Sequence, residues 1–355
     1  MYLDICIYCM FDILNQVIAA FCFLILHFHV YYFREEDLLE EAEPFCFNAF
    51  MIITEMVSRN REVNETQQRD ATILVDEVLH SIFVLGKIHT PPFSPEEILS
   101  DAEILSAFRI QYPRPFALYS SELPRRSPFS CVLDMVVEQK GRDNEREIRE
   151  ELQELVGRLV KSGTIRPLVS KALSVSQSES NGPVRYYGVS MSAYDEAKTI
   201  LIGASCLSSW DRYVADAVMT FYPEQSDNSL DPYDWPFVRK PYFDGTFRVP
   251  EQVWCQTFDL YNGRIMDPCF SCHQLFGLTT TRERVFSHGN CSEAESLSNL
   301  FQGDAAVRAQ IQRPPGGDRA RAETSVRDAL RCFVQDFDGF TEWEARFYTP
   351  QEVRF

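Results

Sequence analysis

The sequence predicts an α+β protein with a helical N-terminal half and a C-terminal α/β part built around a cluster of cysteines. Three observations carry this prediction. Apolar residues recur at helical spacing between residues 45 and 161, as in Ile73, Leu74, Val78, Ile82 and Leu85. Past a serine-rich interval, Ser174 to Gly182, short runs rich in valine, isoleucine, threonine and aromatic residues take over. Cys269, Cys272 and Cys291 then fall within one short stretch that also carries a carboxylate, Glu293.

Three regions follow from these shifts in texture: an apolar leader over 1–33, a helical domain over 34–180 and a zinc-binding domain over 184–355. The leader is nearly all apolar from Val17 to Phe33, but His27 and His29 interrupt it and no Lys or Arg precedes it. It reads either as a single membrane anchor or as a buried helix. The expected location is therefore cytoplasmic, with a single-pass membrane-anchored form as the alternative. An acidic connector, residues 34–43, ends at Pro44.

Helices are expected over Phe45–Val57 and Ala71–Leu85. Ser94, Pro95, Glu96 and Glu97 have the order of a helix N-terminus leading into Ile98–Ile110. Pro113, Pro115, Pro124 and Pro128 predict an extended loop. Ile148, Leu152, Leu155 and Leu159 form the apolar stripe of an amphipathic helix over Asn144–Lys161, with Gly163 as its cap. In the second half, Val184–Met191 and Thr199–Ala204 read as strands of a hairpin, Ser209–Phe221 as a helix capped by Ser208 or Ser209, and Gln252–Leu260 as a further strand. Thr324–Phe333 has the pattern of a helix opened by Thr324 or Ser325, on which the aromatic tail is expected to dock.

A chain of 355 residues with 45% hydrophobic content can bury a large core. Its net charge of −18 argues against broad attraction to nucleic-acid phosphates or anionic lipid, and leaves a small molecule, a nucleotide or another protein as the expected partner. Eleven cysteines at irregular spacing do not form the even framework of a small secreted domain, which favours a reducing compartment. No phosphate-binding glycine loop, dinucleotide fingerprint or serine-hydrolase elbow occurs.

The central stretch runs from Met266 to Glu295. It holds Pro268-Cys269-x-x-Cys272 and, later, Cys291-x-Glu293. The Cys-x-x-Cys spacing lets one turn of backbone present two sulfurs to one ion, and three thiolates with an open fourth position suit zinc. Helices are expected after Pro268 and from Glu293 to Phe301, with the thiols at their N-termini. His288, three residues before Cys291, is the alternative fourth ligand of a closed Cys₃His site. A third reading leaves the cysteines as small buried apolar residues.

These two pieces resemble the halves of the site in the zinc-dependent nucleobase and nucleoside (cytidine deaminase-like) superfamily, with the two motifs in reversed order. The resemblance implies a three-layer α/β fold, zinc held by Cys269, Cys272 and Cys291, and Glu293 as the catalytic proton carrier of a hydrolytic deaminase. The alternative is a non-enzymatic interaction protein with a structural zinc site. If the substrate is anionic, Arg313, Arg319 and Arg321 are the nearest basic residues in sequence.

Overall fold

The computed structural model describes residues 44–67, 71–160, 167–179, 182–224, 238–314 and 316–352; the leader, the acidic connector and Gly163 lie outside them. The chain is mixed α and β, with helices and one small antiparallel sheet. Helices α1 (Pro44–Gln67), α2 (Thr72–Lys87), α3 (Pro95–Ile98), α4 (Ala102–Gln111), α5 (Pro113–Leu118), α6 (Pro128–Lys140) and α7 (Glu145–Leu159) precede the first strand. Ser94 and Glu97 form a reciprocal capping box at α3, as their order in the sequence suggests. The proline-rich stretch is not an extended loop. Pro113 and Pro128 sit in the first turns of α5 and α6, where a missing N–H costs nothing and the fixed φ suits a helix.

Strands β1 (Ala172–Ser178) and β2 (Tyr186–Val189) come next, then helices α8 (Asp195–Ser208) and α9 (Arg212–Met219). Strands β3 (Val253–Asp259) and β4 (Ile265–Met266) lead to α10 (Phe270–Phe276), α11 (Ser292–Gly303), α12 (Ala305–Arg308) and α13 (Arg319–Val334). The sheet order is β2-β1-β3-β4, antiparallel throughout. The serine-rich interval therefore supplies the central strand. Leu173 and Val175 point to one face of β1, and Ser174, Ser176 and Ser178 to the other. Both faces are buried, so the serines mark a polar interface inside the protein instead of a solvated linker.

Thr199–Ala204 belongs to α8, not to a hairpin strand. A short apolar run with β-branched residues fits a buried helix as well as a strand, and Ile200, Leu201, Ile202 and Ala204 are all buried. Asp211, not Ser208 or Ser209, caps α9 by accepting a hydrogen bond from the Tyr213 N–H at 2.8 Å. Helix α13 begins at Arg319, capped by Asp318, five residues before the expected start. The aromatic tail returns to the N-terminal helices: Tyr348 stacks on His80 of α2 with centroids 3.8 Å apart and donates a 2.6 Å hydrogen bond to the buried Asp76.

Helix α11 crosses the hydroxyl-bearing face of the sheet. Ser174 Oγ lies 2.6 Å from Thr257 Oγ1 of β3 and 2.7 Å from Ser292 Oγ of α11, and Ser176 Oγ lies 2.9 Å from Ser296 Oγ. On the other face, Arg149 of α7 lies 3.8 Å above the Phe258 ring, beside Leu173. Two side chains of α11 also serve the β2 edge: Glu295 Oε2 accepts from the Val189 N–H at 2.7 Å, and Asn299 Nδ2 donates to the Tyr187 carbonyl at 2.8 Å. One hydrophobic core runs from Phe45 to Trp343 through these layers. Among the described residues no helix is long and apolar enough to cross a membrane.

The helix can lie this close to the sheet because residue 188 has no side chain. A Cβ there would stand 2.2 Å from the Ser296 nitrogen and 2.6 Å from the Ser292 carbonyl oxygen. Those are backbone atoms, with no flexible end to swing aside. Gly188→Ala is expected to lower stability by about 3 kcal/mol, the upper end of overpacking costs, read as a fall in the urea midpoint.

Candidate metal centre

Sequence analysis places two thiols at helix starts, and the structure does so. Cys269 is the N-cap of α10 and Cys291 the N-cap of α11, both with extended backbone. Neither thiol makes a capping hydrogen bond. At five other helices this position holds Ser94, Asp101, Asp211, Asp304 or Asp318, each of which accepts from a backbone N–H. The two cysteines thus occupy cap positions without capping; their sulfurs turn toward each other.

Cys269 Sγ lies 3.4 Å from Cys291 Sγ and 3.7 Å from Cys272 Sγ. All three sulfurs lie within 4.8 Å of one another, the one group of three or more such donors among the described residues. A zinc–sulfur bond of about 2.3 Å in tetrahedral geometry separates neighbouring sulfurs by about 3.8 Å. The spacing therefore fits three corners of a zinc tetrahedron.

Several local contacts hold the sulfurs in place. The Phe270 N–H donates to the Arg284 carbonyl, Ser271 Oγ donates to the Phe286 carbonyl at 2.6 Å, and the Met191 N–H donates to the Asn290 carbonyl at 3.0 Å. Gly289 has φ +88°, and a Cβ there would stand 2.9 Å from Ile202 and Val218 side-chain carbons. Only glycine passes that point before Cys291.

Glu293 is 3% exposed in the first turn of α11. Burial raises its pKa, its own backbone N–H opposes the rise, negative charge at Cys269 adds to it, and contacts with the Thr257 hydroxyl and the Cys272 thiol lower it in part. The carboxyl is thus buried beside the sulfur cluster. Hydrogen bonds from Cys272 and Cys291 draw the Cys269 pKa far below the ordinary thiol range, while contact with Cys269 raises those of its two partners. The N-terminal end of α11 favours negative charge at this point.

His288 lies three residues before Cys291, with its ring held by two neighbours. Nε2 lies 3.0 Å from Gln274 Oε1, and the imidazole stacks on Phe221 with centroids 4.1 Å apart. Burial lowers its pKa to about 4, against a raising effect from Cys269. The basic residues near 313–321 serve the scaffold: Arg313 and Arg319 pair with the buried Asp216 at 2.9 and 2.6 Å, and Arg321 lies 3.8 Å over the Tyr242 ring.

Sequence reasoning missed Thr257, which faces the same seam from β3 as Cys255; the alternating serines of β1 were the available signal. Burial pushes the Cys255 thiol up to about 12. It missed also a polar cleft of about 710 Å³ beside α11, lined by Glu77, Arg126, Asp134, Trp210 and Glu295 among others. Arg126 is bidentate to Glu77, at 2.9 and 3.1 Å, and pairs with Asp134.

No family model, curated protein or solved structure matches the chain.

Burial raises Glu295 to about 7; the charge of Arg126 and the Val189 N–H lower it, Asp134 raises it, and a Ser130 hydrogen bond lowers it. The folded state therefore keeps a proton that the unfolded chain releases near the ordinary glutamate value. Stability should fall as pH rises through this interval, up to about 7. Unfolding midpoints measured across it are expected to lose part of their slope in Glu295→Gln.

Proposed function

We propose that the chain is a zinc protein with a hydrolytic site of the deaminase-like kind, in which Cys269, Cys272 and Cys291 hold the ion and Glu293 carries protons. The supporting observation is the position of Glu293: a buried carboxyl in contact with Cys272 and Thr257, two residues past the Cys291 cap. A structural zinc site has no use for a buried acid beside its ligands, since burying a carboxyl without a job costs stability.

Zinc, when bound, supplies Lewis-acid polarisation and a nucleophile competent at neutral pH. The chain's own residues do the rest. Glu293, its pKa raised by burial, takes and returns a proton, as a general acid and base must. Thr257 holds its carboxyl in orientation, and the serine seam behind it keeps the helix start fixed to the sheet. The expected substrate is a small nitrogen heterocycle bearing an amino group, released as ammonia.

Purified chain is expected to hold one equivalent of zinc, and Cys269→Ala to hold less than a tenth; metal analysis by mass spectrometry reads both. Stripping the ion with a chelator should lower the thermal midpoint, because the ion binds the folded cluster and not the unfolded chain. Glu293→Gln should keep zinc and fold but cut ammonia release from a panel of amino-nucleosides and nucleobases on the order of 10²- to 10⁴-fold. If no compound in the panel releases ammonia and the variant changes neither metal nor stability, the centre belongs to a non-enzymatic zinc-stabilised protein, with His288 as the residue to test for the fourth position.

A further inference from the structure

We propose that Cys291 is a site of oxidative modification, joined to Cys269 as a disulfide when the protein meets a hydroperoxide. This adds regulation to the proposed zinc site, and only the part concerning metal release rests on that proposal. The disulfide itself stands on the arrangement of the three sulfurs.

The three residues differ in exposure. Cys269 is 4% and Cys272 1% exposed, whereas Cys291 is half-buried. An oxidant approaching the cluster from water comes in on the Cys291 side. The sulfur best placed to complete the reaction is Cys269 Sγ, 3.4 Å away, a little nearer to Cys291 than to Cys272 at 3.7 Å. Closing 3.4 Å to a bond of about 2.0 Å requires a small approach of two side chains. Both belong to N-cap residues, outside the helical ladders, and neither spends its sulfur on a cap. Cys272 lies inside the first turn of α10, where the helix backbone fixes its direction. Geometry thus favours a bond between two helix starts over a bond within the Cys-x-x-Cys pair.

The chemistry balances with the peroxide as sole oxidant. Cys291 sulfur attacks one peroxide oxygen; the O–O bond breaks, water or an alcohol leaves, and Cys291 becomes a sulfenic acid. Cys269 sulfur then attacks the Cys291 sulfur, the S–S bond forms and the hydroxyl leaves as water. Two thiols lose two electrons and the peroxide gains them; the two thiol protons end on the oxygen products. The same bond removes two of the three sulfurs from an ion, so zinc and oxidation compete for one cluster.

The test uses the full reduced chain, zinc-loaded and chelator-stripped, treated with a stoichiometric amount of hydrogen peroxide. Free thiols are then alkylated, peptides mapped by mass spectrometry and released zinc read with a chromogenic chelator. The expected product links the Cys269 and Cys291 peptides with loss of two hydrogens and leaves Cys272 alkylated. In the loaded protein one zinc leaves per cross-link, and the link forms more slowly than in the stripped one. Cys272→Ser should keep the link; Cys269→Ser should lose it and leave Cys291 as a sulfenic acid, trapped by a dione reagent. A Cys269–Cys272 bond as the main product, or Cys291 recovered as a free thiol while buried thiols react, overturns the proposal, and the wild-type map decides this even if a variant fails to fold. A chain that forms the link but holds no zinc when reduced overturns the metal proposal alone; one that holds zinc and never forms the link overturns this one alone.

Discussion

The contact on which the architecture depends is the hydroxyl seam between α11 and the sheet. Ser174 and Ser176 of β1, Thr257 of β3, and Ser292 and Ser296 of α11 meet in a buried row of short hydrogen bonds. Buried hydroxyls are costly when unpaired and neutral or better when each finds a partner. Small side chains let the helix lie close, and closeness in turn satisfies the hydroxyls. An ordinary apolar interface with leucine or phenylalanine would lift α11 off the strands and carry Cys291 and Glu293 away from Cys269.

The same seam explains how a chain of net charge −18 assembles three sulfurs and a carboxylate at one point. Anionic groups repel, and the site gathers them where local donors outweigh the overall charge: the N-terminal end of α11, the Thr257 hydroxyl and the mutual thiol contacts. Arg126, Arg313 and Arg319 are spent on Glu77, Asp134 and Asp216, buried or half-buried acids that tie the loops and helices of the scaffold.

Long periodic segments were legible from sequence: α1, α2 and α7 follow their apolar stripes, and Gln252–Leu260 contains β3. The cysteine cluster was legible too, because Cys-x-x-Cys behind a proline and a cysteine before an acidic turn both mark helix starts. What failed were places where tertiary burial reverses the usual meaning of a residue. Ser174 to Ser178 looks like a solvated linker because serine is mostly exposed, yet here a helix supplies its partners. Thr199 to Ala204 looks like a strand because β-branching is common in strands, yet a helix buried from Ile200 to Cys206 tolerates it. His288 lies three residues before Cys291, and the fold shows its Nε2 beside Gln274 and its ring stacked on Phe221.

The β2 edge has a consequence for how molecules of this protein meet one another. An outer strand offers unpaired N–H and C=O groups, a template for joining sheets between chains. Here the Val189 amide and the Tyr187 carbonyl are already occupied by Glu295 and Asn299. Side chains of the same helix that carries Cys291 thus act as a substitute fifth strand, and crowded solutions of the folded chain should resist growth into ribbons from that side.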